Sequence, residues 1–301
     1  MLVEISSRER LEEAMGEMTQ PDHIYFMLSI RNELEYRFPE SPIRVFAFPE
    51  KGEKKYWFMI KDNVHIDPYC MLAIAPGRTI DRLEYLECLR EFRLKAFGAL
   101  NSNKAHLMTG KESLVKMYST LMRNIPIDLS CTDLCLKLFY MKEQQQKDLH
   151  ETTVSVADGY TVCELNPVEE AHLVNSTWKH AKEGDLEQTF AKLSRLPSAC
   201  VRHIESGEPA GFVMCDPAGF FNNLFVLEKH RRKGIATALE ILLAKKCIKS
   251  KMTPYKTVDV RNQVMLYSSR SSPMWTLWTE NDVPVTVIFQ TWSCTDMNGL
   301  R

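Results

Sequence analysis

The sequence predicts an α/β protein built as two units in tandem, and three observations lead there. Short apolar runs bounded by turn residues alternate with longer amphipathic stretches along the chain. A polar, glutamine-rich segment, KEQQQKDLHETTVSVAD at 142–158, interrupts that alternation near the middle. The 301 residues suffice for two ordinary cores. The expected domains are therefore 1–158 and 159–301.

In the first half, 21–37 reads as a helix. IRVFAFP (43–49), YWFMIK (56–61) and CMLAIAP (70–76) read as strands with turn residues between them. Residues 80–98 and 111–124 read as helices, and DLCLKLFYM (133–141) as a strand. The second half restarts at GYTVCEL (159–165), a strand, followed by helical stretches at 167–182 and 185–195. ACVRHIE (199–205) and PAGFVMC (209–215) form a hairpin whose tip is Ser206-Gly207-Glu208. Pro209 opens its strand, where a missing N–H is tolerated. NNLFVLE (222–228) is the next strand, and a helix from about 235 to 249 repeats Ile235, Leu239 and Leu242 on one face. Strand YKTVDV (255–260), a helix from Asn262 and strand VPVTVIF (283–289) close the second unit.

Composition narrows the function classes. Hydrophobic residues make up 45% of the chain and charged residues 26%, the balance of a soluble globular protein. A net charge of -1 supplies no protein-wide attraction to nucleic acid. No run of about 18 apolar residues is present, so no membrane-spanning helix is expected. The acidic N-terminus, MLVEISSRERLEEAMGEM, has no apolar h-region and reads poorly as an acid-poor transit peptide, so neither a standard secretory signal nor a standard transit peptide is expected there. Nine cysteines lie between Cys70 and Cys294 without a CxxC pair. Cys131 and Cys135 have no second pair at zinc spacing, so reduced, mostly buried thiols and no metal are expected.

The segment that carries chemistry is NLFVLEKHRRKGIATALEILLAKK, 223–246. An apolar strand ends near Val226, a basic turn follows, and Gly234 opens an amphipathic helix. The first turn of a helix has unpaired N–H groups and a positive dipole end, which suit a phosphate or diphosphate. Gly234 allows close approach, Ala236 leaves room, and Arg231, Arg232 and Lys233 add positive charge. From Lys229 to Lys251 there are eight lysines and arginines against one acid, Glu240, so the field favours a polyanion. A basic run alone is more often a solvated turn. The order of strand, basic turn, glycine and long apolar-striped helix is what favours a ligand. The GxxxxGK[ST] and GxGxxG patterns of nucleotide sites are absent, and MTGKES (108–113) lacks the upstream glycine of the first.

Arg231-x-x-Gly234-x-Ala236, after Leu224-Phe225-Val226, resembles the acyl-CoA binding motif of the GNAT acyltransferase superfamily, [QR]-x-x-G-x-[GA]. VDVRNQVM (258–265) is similar to the strand and helix that follow in glycine N-acyltransferases, and FPESPIRVFAF (38–48) resembles their N-terminal region. The resemblance implies tandem GNAT-like domains, each a mixed, mostly antiparallel sheet flanked by helices with splayed central strands. It implies acyl-CoA as co-substrate, a diphosphate cradled by Arg231, Arg232, Lys233, Gly234, Ile235 and Ala236, and Asn262 near the coenzyme. The backbone of Phe225 and Val226 would meet the pantetheine arm and acyl carbonyl. It also implies a glycine or other small amine or amino acid as acceptor, and a mitochondrial matrix location, with cytoplasm as the alternative.

The chain departs from the family at two catalytic positions. The family's glutamate base, eleven residues before the motif arginine, falls on Phe220. The tyrosine acid that many GNAT members place seven residues after the asparagine falls on Ser269, as in the glycine acyltransferases, with Tyr267 two residues earlier. A thiol with a pKa of about 8.5 leaves as thiolate without a strong acid, so orientation and backbone donors are expected to carry catalysis, with the base unassigned. His203 and His230 read as structural residues. An acyl-CoA:amine N-acyltransferase is the leading reading. A silent CoA-binding protein and a peptide or protein N-acetyltransferase are the alternatives.

Overall fold

The computed structural model describes residues 1–52, 54–179 and 181–294, which form two compact units. The first half supplies β1 (Val3–Ile5), α1 (Arg8–Glu17), α2 (Ile24–Leu34), β2 (Ile43–Phe48), β3 (Tyr56–Lys61), β4 (Tyr69–Ile74), α3 (Arg82–Phe97), β5 (His106–Lys111), α4 (Glu112–Met122) and β6 (Leu129–Tyr140). Then come α5 (Glu143–Glu151), β7 (Tyr160–Cys163), α6 (Pro167–Ser176), α7 (Asp185–Arg195), β8 (Ser198–His203), β9 (Pro209–Cys215), β10 (Phe221–Val226), α8 (Ile235–Lys249), β11 (Tyr255–Asp259) and α9 (Gln263–Ser271). Short strands β12 (Thr276–Leu277), β13 (Thr279–Glu280) and β14 (Val283–Pro284) lead into β15 (Val287–Cys294). Both units are mixed α/β with a mostly antiparallel sheet and flanking helices.

The first unit comprises residues 1–34, 41–137 and 279–294. Its strands run β1-β2-β3-β4-β5-β15-β6. All neighbours are antiparallel except β4 and β5, which are parallel and joined through α3. β3 and β4 are buried along all six residues, which is why they read as continuous apolar runs. Phe46, Tyr56, Phe58, Tyr85 and Phe92 form the aromatic centre of the core.

β5 is a strand that its composition hides. His106, Thr109 and Gly110 break an apolar pattern, yet each has a structural use. His106 donates Nδ1–H to Lys104 O at 2.8 Å and accepts at Nε2 from the Tyr118 hydroxyl at 2.8 Å. Tyr118 in turn accepts from the fully buried Arg93 at 2.9 Å, and Thr109 donates to Ile288 O at 2.9 Å. A Cβ at Gly110 would lie 2.6 Å from Leu72 O, so only glycine lets β5 come this close to β4.

The compact units divide the chain at 137/138 rather than after 158. The glutamine-rich segment is largely helix α5 of the second unit, whose N-cap Lys142 N–H donates to the Gln145 side chain at 2.8 Å. The C-terminal strand, expected in the second unit, lies with the first. β15 inserts between β5 and β6, pairing Val287–Trp292 with His106–Lys111 on one side and Val287–Cys294 with Leu129–Leu136 on the other. Each of its flanking strands would otherwise present an open edge. Sequence order gives no sign of such long-range pairing.

The second unit comprises residues 35–40 and 138–278. Four antiparallel strands run β10-β9-β8-β7. β11 lies beside the end of β6, where Met141 N–H donates to Pro254 O at 3.0 Å, and β12 pairs with Phe139 and Tyr140. β9 is buried throughout because helices cover both faces. Phe212 and Met214 meet Ala171, Val174 and Leu193 of α6 and α7. Cys215, of opposite parity, meets Cys247 of α8 with the sulfurs 3.3 Å apart. Nothing in a single strand's sequence shows which of its faces takes which helix. The buried face of α8 carries Ile235, Leu239 and Leu243; the expected Leu242 is half-buried. Residue 180, within the expected helix 167–182, lies outside the described residues. No helix among the described residues is long and apolar enough to cross a membrane.

Candidate functional site

β10 and β11 are the two strands on either side of α8, and they share no ladder hydrogen bonds among the described residues. Their starts are tied together by side chains. Tyr255 OH donates to Ala218 O at 2.7 Å, Phe220 meets the Tyr255 ring edge-on at 6.1 Å, and Phe221 meets Trp275 edge-on at 5.6 Å. Behind them Lys256 of β11 pairs with Glu240 of α8 at 2.5 Å, lies 4.5 Å from the centre of the Trp275 ring, and is largely buried. Burial pushes the Lys256 pKa down, against the pull of Glu240. Beyond these ties no ladder bond joins the two strands among the described residues, and this unpaired seam beside β10, the wedge, runs with β10 toward the turn that opens α8.

β10 is shaped for that wedge. A β-bulge between Asn222 and Phe225 sets two residues, Asn223 and Leu224, against one on β9, and Asn223 takes φ 50°. Asn223 is held there by Nδ2–H bonds to Val174 O at 2.8 Å and Thr177 Oγ1 at 3.2 Å. Leu227 N–H donates to Ala210 O at 3.0 Å, so the antiparallel alternation directs the Phe225 backbone toward Phe212 and the Val226 backbone toward the wedge. Of the two expected coenzyme-facing backbones, Val226 is therefore the one on the open side. The Phe225 ring stacks on Phe212 at 6.0 Å as part of the core.

Gly234 is the N-cap of α8 at φ 74°, in the left-handed region where glycine is the least strained residue, and no side chain among the described residues caps the helix. The first intrahelical bond runs from Ala238 N–H to Gly234 O at 3.1 Å. The N–H groups ahead of Ala238 are the helix's own unpaired donors. Gly234 is exposed, Ala236 half-exposed and Ile235 buried, so Ile235 anchors the turn. Gly211 of β9 is a residue that sequence reasoning missed. A Cβ there would lie 2.9 Å from Phe225 O, 3.0 Å from Ile235 Cγ2 and 3.1 Å from Val226 Cγ2, so its bareness seats β10 and the first turn of α8 together. Only the Gly in PAGFVMC, a strand otherwise without one, could have pointed to it.

The basic turn is wired internally. Arg231 Nε donates to Val226 O at 3.1 Å, and its guanidinium lies 5.9 Å from the centre of the Phe225 ring. Lys233 Nζ donates to Tyr160 OH at 2.8 Å. Tyr160 donates to His230 Nδ1 at 2.8 Å, and His230 Nε2–H reaches Glu208 at 3.0 Å. Lys229 also pairs with Glu208 at 2.6 Å. Lys229 and His230 together hold the Glu208 carboxyl down to about 2. Arg231 and Lys233, expected at the phosphates, thus have partners within the protein, and Arg232 has none among the described residues.

Asn262 caps α9, its Oδ1 accepting from Met265 N–H at 3.2 Å, and is exposed. Ser269 is buried with its hydroxyl unpartnered among the described residues, whereas Tyr267 is exposed. His203 is held in its hairpin by Ser206 Oγ at 3.0 Å. Phe220 supports the closed end of the wedge and carries no proton.

The corresponding strand–helix–strand of the first unit is built shut. β4 and β5 are paired over Tyr69–Met71 and Leu107–Thr109. The N-terminus of α3 is already met by the Asp81 carboxylate, which accepts from Leu83 N–H at 2.9 Å and Glu84 N–H at 3.0 Å.

Residues 165–266 match the acetyltransferase (GNAT) family, a span that takes in the bulged strand, the basic turn and all of α8 and β11. The second unit carries a GNAT-superfamily domain. The family uses acyl-CoA as co-substrate. The match is to the superfamily and does not reach the glycine N-acyltransferases. Among solved structures, a Drosophila protein is similar at TM-score 0.75 and 12% identity, over 96% of this chain and 97% of that one. A tandem GNAT protein from the clavulanic acid biosynthesis pathway, solved without acetyl-CoA, is similar at TM-score 0.54 and 12% identity, over 97% and 98%. A GCN5-related N-acetyltransferase from Sphaerobacter thermophilus is similar at TM-score 0.51 and 11% identity, over 97% and 95%. At these identities the likeness is one of fold. A search of the curated proteins finds no match.

Proposed function

We propose that the GNAT domain binds one acyl-CoA per chain and transfers its acyl group directly to the amine of glycine or another small amino acid or amine. The observation that carries this reading is the unpaired β10–β11 wedge, which ends at a glycine-capped helix with free first-turn donors. The diphosphate would sit on those donors, the pantetheine arm would run along the open side of β10, and the thioester would reach the bulge. There the amine nitrogen attacks the carbonyl carbon and the negative charge develops on its oxygen. The C–S bond then breaks, and the departing thiolate takes up a proton. Backbone N–H groups freed by the bulge would face the developing oxyanion; one such donor is worth roughly 3–4 kcal/mol. Asn262 would border the coenzyme. The proton lost by the amine has no assigned acceptor, because Phe220 stands where the family places a carboxylate.

Phe220 also favours a second reading, a CoA-binding protein without turnover. The full chain titrated calorimetrically with CoA and assayed with acetyl- and longer acyl-CoAs against amino acids, small amines and peptides separates them. The proposal expects one coenzyme per chain, because α3 of the first unit is capped by its own carboxylate, and thiol release with a small amine. Binding with no thiol release from any acceptor supports the second reading. Turnover confined to peptides rejects the small acceptor.

A further inference from the structure

The turn between β10 and α8 brings four cations to the start of the helix, and three already have partners in the protein. Lys229 is paired with Glu208, Arg231 is bonded to Val226 O, and Lys233 is bonded to the Tyr160 hydroxyl. Arg232 is exposed, has no side-chain partner among the described residues, and sits at φ 59°, a conformation that costs an arginine energy. Tyr160 is the hub of the wiring. It is buried, comes from β7 on the far side of the sheet order, and joins Lys233 to His230, whose other nitrogen reaches Glu208. The Lys233 ammonium also lies 5.0 Å from the centre of the Tyr160 ring.

We infer that Arg232 alone supplies the side-chain contact to a coenzyme phosphate, and that Tyr160, through Lys233 and His230, is a positioning residue that sets the turn. The inference rests on the acyl-CoA reading of the site and divides the labour within it. Held by its neighbours, the turn meets the anion already shaped, so little ordering remains to be done on binding. The left-handed residue turns the Arg232 side chain out of the wired set, and the other three cations contribute field without direct contact. A guanidinium matches a phosphate through two parallel N–H donors, which an ammonium cannot do. The phosphate is either the diphosphate, shared with the helix donors, or the ribose 3′-phosphate.

Calorimetric titration of the full chain with CoA and with 3′-dephospho-CoA tests this, alongside thermal denaturation of each variant. Arg232→Gln is expected to weaken CoA about tenfold, the scale of one charge-assisted hydrogen bond, at an unchanged Tm. Equal dephospho-CoA affinity in Arg232→Gln and the natural chain assigns the 3′-phosphate, whereas a similar loss with both coenzymes assigns the diphosphate. Lys233→Gln and Tyr160→Phe are expected to lower Tm, to weaken CoA less than threefold, and to do no more together than Tyr160→Phe does alone. CoA affinity untouched by Arg232→Gln but reduced about tenfold by Lys233→Gln, at an unchanged Tm, overturns the division and leaves the coenzyme site standing. If the natural chain binds neither coenzyme, the site itself is wrong and the division falls with it.

Discussion

Replacing Gly234 with Asp is expected to abolish acyl-CoA binding while leaving the chain folded. A Cβ at Gly234 meets nothing within 4 Å, so the substitution has room. The cost lies in the charge and the backbone. A carboxylate about 4 Å from a diphosphate repels it by about 4 kcal/mol per pair of charges at an effective dielectric near 20, and less once salt screens it. The φ of 74° adds strain that Asp bears better than most residues. A loss of at least about a hundredfold in affinity is the net expectation. Gly234→Asn separates the two contributions, since it keeps the shape without the charge, and should cost only a few-fold. Calorimetric Kd values for both variants, with Tm as the fold control, check this. An Asp variant that stays folded and binds CoA unchanged removes the assigned site.

The second large effect is a loss of stability in the first unit as pH falls. His23 and His106 are buried there, and burial pushes each imidazole from 6.5 down to about 4. Lys111 opposes protonation of His23, and the buried Arg93 opposes that of His106. Because the folded value lies below the unfolded one, the unfolded chain binds protons first as the pH drops. Stability is therefore full above about pH 6.5 and is lost progressively toward pH 4. A shift of this size is worth roughly 3 kcal/mol per histidine, a large part of the stability of an ordinary domain. Glu208 in the second unit is held from 4.5 down to about 2, so its contribution is lost below the range in which the two histidines act. Hydrogen exchange of the β3 and β5 amides between pH 7.5 and 4.5 reads it directly. Protection that holds steady across that range contradicts it, and His106→Gln should flatten the dependence.

Much of the fold was legible because its strands are apolar runs bounded by turn residues, and the hairpin at Ser206-Gly207-Glu208 falls where Gly207 takes φ 70°. β5 was hidden because its polar residues are satisfied by distant partners, His106 by Tyr118 and Thr109 by Ile288. The place of β15 was hidden for the same reason, since pairing at long range leaves no local trace. At the site, the sequence showed the glycine-led helix and its charge. It could not show that Lys233 is bonded within the protein, because its partner Tyr160 is 73 positions away in the chain. Nor could it show Gly211, whose need appears only when β10 and Ile235 close over it.

The shut β4–α3–β5 of the first unit is the physical reason that the proposal expects one coenzyme per chain. Gly110 lets β5 close on β4, and Asp81 fills the place an anion would take at α3. In the second unit β10 and β11 are unpaired, the N-cap is glycine and no side chain among the described residues caps the helix.

A crystal structure of the chain with CoA tests the central claim most directly. The account predicts the diphosphate oxygens within hydrogen-bond distance of the N–H groups at the start of α8, and the pantetheine arm between β10 and β11. Coenzyme bound elsewhere, with that helix start and wedge filled by the protein's own side chains, would contradict it.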